Sequence, residues 1–204
     1  MITLYHAPGS RSSRFVWLLE EIGQPYEIKQ VAIRRRDGTT EQDPEYRKIH
    51  PHGKVPALVH DGVRIFESTA IALYLADEFP EAKLAPKIGD KRRGPFLTWL
   101  AYYTGVMEPA FVTKALGFTT TNSTTGWAPT DEILAYISST LTTPGPYLLG
   151  EMFTVADILY GSTFALFKGS PLMPMDPVIA AYAERVTSRP ALQRANIKEA
   201  APSK

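Results

Sequence analysis

The chain has 204 residues, 44% apolar and 21% charged, enough for one large or two small globular domains with buried cores. A formal net charge of +1 supplies no global field for nucleic acid or an anionic membrane. The absence of cysteine excludes a disulfide scaffold, Cys-ligated zinc, an iron–sulfur cluster, a cysteine nucleophile and CxxC redox chemistry. No basic-plus-apolar leader opens the chain, and no window approaches about 18 uninterrupted apolar residues, so a cytoplasmic protein without a membrane span is expected.

Ile2 to Tyr5 reads as a short strand, and His6-Ala7-Pro8-Gly9-Ser10 as turn chemistry. Phe15, Val16, Leu18, Leu19 and Ile22 form one apolar stripe, which predicts a helix over 12–23 that Gly23 and Pro25 stop. Tyr26 to Val31 alternates as a second strand, giving a βαβ unit and a parallel pair. Arg34 to Thr40 is polar, and its triple Arg reads as a solvated run. Asp43-Pro44-Glu45 opens a short helix with Tyr46 and Ile49 inward. Asp61-Gly62 between Val55–Val59 and Val63–Phe66 is a hairpin signal, followed by a helix over 69–79. Pro56 fits an ordinary strand start. It also fits a cis bond in a tight turn that leaves the Val55 backbone to pair with an extended ligand.

Pro80 to Gly89 reads as a linker, and the remainder is helical in pattern. Phe96, Leu100, Tyr103, Val106/Met107 and Ala110 form a long stripe that Pro109 should kink. A Thr-rich loop spans 119–126. Ile133, Leu134, Ile137 and Leu141 mark the next helix. Thr154-Val155-Ala156-Asp157 is a capping box with Asp in place of Glu or Gln, so Asp157 is structural rather than catalytic. Further helices open at Asp176-Pro177 and Arg189-Pro190. The four histidines show no metal-ligand spacing, and no metal is expected.

The order of elements, the Tyr5–Ser10 turn, His52-Gly53-Lys54-Val55-Pro56-Ala57-Leu58, Glu67-Ser68 and the Thr154–Asp157 box together resemble the cytosolic glutathione S-transferases, in a bacterial-like, serine-type pattern. The resemblance covers the whole chain and is weakest over 111–145. It implies an α/β N-terminal thioredoxin-like domain (βαβαββα) at 1–80, a linker at 81–89 and an all-α C-terminal helical domain at 90–204. His50-Pro51 departs from the Asn-Pro frequent in the family, which puts the geometry of that turn in question.

The resemblance further implies a detoxifying transferase that takes glutathione as co-substrate, ionises its thiol and adds it to a small, hydrophobic electrophile. A homodimer is implied, with no nucleic-acid or membrane partner. Carried over residue by residue, Ser10 meets the sulfur, with Arg11 beside it. Val55, before Pro56, pairs with the cysteinyl backbone, Lys54 meets the glycyl carboxylate, and Glu67 with Ser68 meets the γ-glutamyl group. Ser10 ranks first as the thiol-activating hydroxyl, then Ser12, then Tyr5. A lone Ser before a helix is more often a plain N-cap, and a Tyr ending a strand is more often core. Tyr102, Tyr103 and Met107 are the candidates for a second-substrate site between the domains, with Trp99 and Phe111 behind them. Tyr103 and Met107 also fit the core stripe. A glutathione-dependent peroxidase, ether-cleaving enzyme or dehalogenase would use the same thiolate. A non-catalytic interaction protein on the same fold is the reading from a different class.

Overall fold

In a computed structural model of the protein, residues 1–33, 43–118, 125–143 and 145–200 are described. The Arg34–Arg36 run and most of the Thr-rich loop lie outside them. The chain divides into two compact units, one of Met1–Ala82 together with the last helix, the other of Lys83–Arg189.

The first unit is built on four strands, β1 (Ile2–His6), β2 (Tyr26–Gln30), β3 (Ala57–His60) and β4 (Val63–Phe66), in the order β2-β1-β3-β4. β2 lies parallel to β1, as a βαβ crossover requires, and β3 and β4 run antiparallel. The crossover helix α1 (Ser13–Ile22) fully buries Phe15, Val16, Trp17 and Leu19. At about 1.5–3 kcal/mol for each large apolar side chain removed from water, this stripe anchors the helix on the sheet. The β3–β4 hairpin turns through Asp61 (φ 47°) and Gly62 (φ 84°), the two left-handed residues that a type I′ turn needs. The segment expected as a short helix near Tyr46 is a single 3₁₀ turn, Tyr46–Lys48, with Tyr46 buried. Asp43 Oδ1 accepts the Glu45 N–H at 2.8 Å to start it. Helix α2 (Ser68–Glu78) closes the unit with Ile71, Ala72 and Leu75 inward.

The second unit holds α3 (Arg93–Tyr102), α4 (Glu108–Ala115), α5 (Thr130–Leu141), α6 (Val155–Leu166) and α7 (Pro177–Thr187). Between α3 and α4 the helix widens to one π-helical stretch, Tyr103–Met107, directly before Pro109. Proline has no N–H to give, and its ring crowds the carbonyl four residues back. The wider turn accommodates both without breaking the helix. Asp157, fully buried on α6, collects the N–H groups of Leu148 (3.0 Å) and Thr154 (2.8 Å) and the hydroxyls of Thr154 (3.1 Å) and Tyr182 (2.8 Å). Burial pushes its carboxyl up, and these four donors work against that.

Helix α8 (Pro190–Ala200) departs from the expected 90–204 helical domain, because it packs with the first unit. The reason is chemical: Ala191 and Ala195 are small enough to lie buried, and Arg194 and Lys198 both reach Glu20 on α1 (3.1 and 2.6 Å). Among the described residues no helix is long and apolar enough to cross a membrane.

Candidate functional site

Sheet register brings three of the flagged segments to one end of the first unit. Tyr5 pairs with Ala57, and Ala57 with Phe66. The turn leaving β1, the turn entering β3 and the step out of β4 into α2 therefore share one edge of the sheet. These carry Ser10–Ser12, Lys54–Pro56 and Glu67–Ser68.

At the first of them Ser10 is half-buried and Arg11 exposed, whereas Ser12 is 0% exposed. Ser12 does not cap α1 in the ordinary way. Its Oγ turns back into the protein, accepts the Ala7 N–H (3.1 Å), and lies 2.7 Å from Ser10 Oγ, 2.8 Å from His6 Nδ1 and 3.3 Å from the Ala7 carbonyl. Ser10 in turn accepts the Ser12 N–H at 3.1 Å on its Oγ, and the Ser13 N–H on its carbonyl. Ser10 and Tyr5 are both half-buried, and of the two it is Ser10 that rests on a buried hydrogen-bonded base, Ser12. The Tyr5 ring is half-buried, stacked on Tyr46 at 5.4 Å with Lys29 Nζ 5.9 Å from its centroid.

The second segment turns tightly. The Val55–Pro56 peptide bond is cis, and no hydrogen bond to either backbone group of Val55 occurs among the described residues. Lys54 is exposed, and the Tyr46 hydroxyl donates to its carbonyl. His50, where the resemblance leads to Asn as the frequent residue, holds the turn. Its carbonyl accepts the Gly53 N–H (2.9 Å), its Nδ1 accepts the His52 N–H (3.2 Å), and its ring rests on Phe66 at 5.0 Å. Burial, assisted by the charges of His52 and Lys54, lowers the His50 pKa against the opposing pull of Glu67.

At the third segment Glu67 is exposed with φ 73° and ψ 128°, a region L-residues avoid. Such a backbone costs about 1–3 kcal/mol and gathers at ligand sites. It stands at the N-cap of α2. Neither α1 nor α2 has an acidic residue in its first turn, so the positive end of each helix dipole is left for an incoming anion.

In the helical unit the three pocket candidates separate. Tyr103 is fully buried, its ring 5.2 Å from Tyr160 and its hydroxyl bonded to Thr163 (2.7 Å) and Glu108 (3.0 Å). That hydroxyl is spent inside the helical core, which corrects its assignment to a ligand surface. Met107 is buried as well. Tyr102 is half-buried beside Trp99 and Tyr136. Trp99 and Phe111 are both 5% exposed.

Sequence patterning missed His6 and Glu199. His6 lies on β1, not in the turn, with its ring 1% exposed and Nε2 3.0 Å from Glu199 Oε1 on α8. The available signal was a polar residue two places after the inward Leu4. Its partner near the other end of the chain gives no local signal at all. Among the described residues no cluster of three or more His, Cys, Asp or Glu is arranged to hold a metal.

Residues 1–77 match the family described as glutathione S-transferase, N-terminal domain. Glutathione S-transferase 3 of Schizosaccharomyces pombe is 47% identical over 79 residues, which are 39% of this chain and 31% of that protein. The chain thus spans about a third of that relative's length. Glutathione S-transferase GstA of Escherichia coli O157:H7 is 27% identical over 196 residues, 94% of this chain and 96% of the relative. A sphingomonad glutathione S-transferase, solved in complex with glutathione, superposes with a TM-score of 0.74 at 27% identity, over 98% of this chain and all of that one.

Proposed function

We propose that the chain is a cytosolic glutathione S-transferase in which Ser10 stabilises the thiolate of bound glutathione, a reading supported by the match of residues 1–77 to the N-terminal domain of that family and by the full-length likeness to GstA and to the sphingomonad transferase. The observation that carries this reading is the common end of the sheet shared by the Ser10 turn, Val55–Pro56 and Glu67–Ser68, with the half-buried Ser10 hydroxyl resting on the buried Ser12.

A free thiol has a pKa of about 8.5, so only a few per cent is ionised at neutral pH. One charge-assisted hydrogen bond from Ser10 together with the N-terminus of α1 contributes about 2 kcal/mol toward the anion, or one to two pKa units. The thiol proton leaves to solvent. The thiolate lone pair then forms a bond to an electrophilic carbon, and the leaving group departs with the electrons of the bond that breaks. The Val55 backbone pairs with the cysteinyl unit, Lys54 faces the glycyl carboxylate with Arg11 nearby, and Glu67 and Ser68 take the γ-glutamyl group. Tyr102 is the helical-unit residue assigned to the electrophile. A cytoplasmic homodimer is the setting that the family reading implies.

Ser10→Ala is expected to lower kcat about 10- to 100-fold with glutathione affinity within about threefold, because the hydrogen bond matters for the charged sulfur rather than for docking. Steady-state kinetics with a standard aromatic electrophile, paired with calorimetry, reads both. A comparable loss in Tyr5→Phe with Ser10→Ala unaffected would transfer the role to Tyr5.

A further inference from the structure

The turn that delivers Lys54 and Val55 hangs on one side chain that can take up a proton in the acid range. His50, Pro51, His52 and Gly53 form it, with the His50 carbonyl accepting the Gly53 N–H (2.9 Å) and Gly53 in the left-handed region (φ 59°). The His52 N–H, inside the turn, donates to His50 Nδ1 at 3.2 Å. A side-chain acceptor on the backbone N–H two residues on is the closure that Asn or Asp gives to such turns, here made by an imidazole. The His50 N–H is itself anchored on the Tyr46 carbonyl (3.0 Å), and the Tyr46 hydroxyl donates to the Lys54 carbonyl, so the turn is held at both ends. His50 is 3% exposed, its ring resting on Phe66 of β4 at 5.0 Å. From this geometry we infer that His50 is a positioning residue for glutathione that acts only with Nδ1 bare, so that glutathione binding weakens in acid.

An imidazole nitrogen accepts a hydrogen bond only while it carries no proton. The contact with the His52 N–H therefore fixes a neutral ring with its proton on Nε2. A proton added to Nδ1 turns the acceptor into a donor facing an N–H. The His52 N–H then loses its partner, and a cation sits in a buried place. Burial is the largest influence on the ring and lowers the His50 pKa below its ordinary 6.5. Three charges face it: Glu67, which favours the cation, and His52 and Lys54, which oppose it. Glu67 is the strongest of the three and Lys54 the weakest. On the neighbouring elements Arg64 donates to the Lys48 carbonyl, and the Lys48 ammonium is paired with Glu45. Glutathione tips this balance one way. In the proposed function Glu67 takes the γ-glutamyl group, whose ammonium is the natural partner of a carboxylate. The one charge that favours a protonated His50 is then engaged, and engaging Lys54 as well, through the glycyl carboxylate, returns less. The bound state keeps the ring neutral to a lower pH than the free state does. By reciprocity, a ligand that prefers the neutral ring binds more weakly once the ring is protonated.

The inference rests on the transferase reading, and the choice of ligand keeps the two apart. S-methylglutathione carries no ionisable thiol, so sulfur ionisation and Ser10 drop out of its pH profile. Its Kd is measured by calorimetry from pH 7.5 to pH 4.5 in wild type, His50→Ala and His50→Asn. His50→Ala, without the acceptor, should be weakened about three- to tenfold already at pH 7.5. His50→Asn, whose amide oxygen accepts without titrating, should recover most of that loss, and it shares every other titrating group with the wild type. Over the pH range, wild-type affinity is expected to fall about three- to tenfold more than that of His50→Asn. Should the variants fail to fold, the wild type answers alone. Among its four histidines, the His50 C2 proton is identified by proton NMR through its contact with Phe66. Its pKa should drop by about half to one unit when S-methylglutathione saturates the protein, the same three- to tenfold read from the other side. Equal acid losses in wild type and His50→Asn, or a His50 pKa that the ligand leaves unchanged or raises, would overturn the role of His50. A wild-type protein that binds neither glutathione nor S-methylglutathione at pH 7.5 would instead overturn the transferase reading itself.

Discussion

In the proposed function, Ser10 and Glu67 divide the work of binding an ionised tripeptide between one hydroxyl and one strained backbone. Glu67→Ala is expected to weaken glutathione about tenfold, the equivalent of one charge-assisted contact of about 1.4 kcal/mol, with kcat largely retained. Isothermal titration checks the affinity, and an unchanged Kd would remove Glu67 from the site. Which hydroxyl does the chemistry was open in the sequence, because Ser10, Ser12 and Tyr5 all sit at one turn. Folding sets Ser12 apart by exposure, interred beneath Ser10 and against His6, and leaves Ser10 and Tyr5 half-buried. Local sequence cannot report that burial, since it depends on the turn folding back against His6 and Ala7 at the end of β1. Tyr103 illustrates the converse. Its helical spacing allowed core or pocket, and its bonds to Thr163 and Glu108 decide for core.

At the level of elements, α8 was the least legible. Its start at Pro190 is written in the sequence, but its docking on α1 depends on Glu20 meeting Arg194 and Lys198, contacts with no periodic signature. The β3–β4 hairpin and the α6 capping box were legible because Asp-Gly turns and N-cap chemistry are local. Burial works to raise the Glu20 carboxyl, but hydrogen bonds from Lys198, Tyr26 and Arg194 bring it below its ordinary value. A carboxyl depressed in the folded state contributes stability that is fully present above its unfolded pKa, near 4.5, and is lost as pH falls through the lower folded value. Glu20→Ala should therefore cost about 1 kcal/mol at pH 7, given the exposure of both cations, and the difference from wild type should shrink as pH falls below about 4. Urea titrations across pH 3–7 test this, and a pH-independent difference would contradict it. Asp157→Ala should cost about 3 kcal/mol, since it strands the buried Tyr182 hydroxyl and the Leu148 N–H. A urea-derived loss below about 1 kcal/mol would contradict the capping role.

For the whole molecule, the missing cysteine and the near-zero net charge take on a joint meaning. On the proposed function, a thioredoxin-like unit without a cysteine receives its thiol with the ligand. The anion capacity that this reading uses is local, at two helix N-termini and Lys54, and needs no basic surface. Glutathione at about a hundred times its Kd should stabilise the protein by about 2.7 kcal/mol and raise its melting temperature accordingly. The central claim is that this protein ionises bound glutathione through Ser10, and ultraviolet difference titration of the thiolate in wild type and Ser10→Ala tests it most directly. The expected result is a bound thiol with a pKa about one to two units below that of free glutathione in the wild type, returning most of the way toward the free value in Ser10→Ala. A bound thiol that titrates as it does in free solution, or a lowered value that survives Ser10→Ala unchanged, would contradict it.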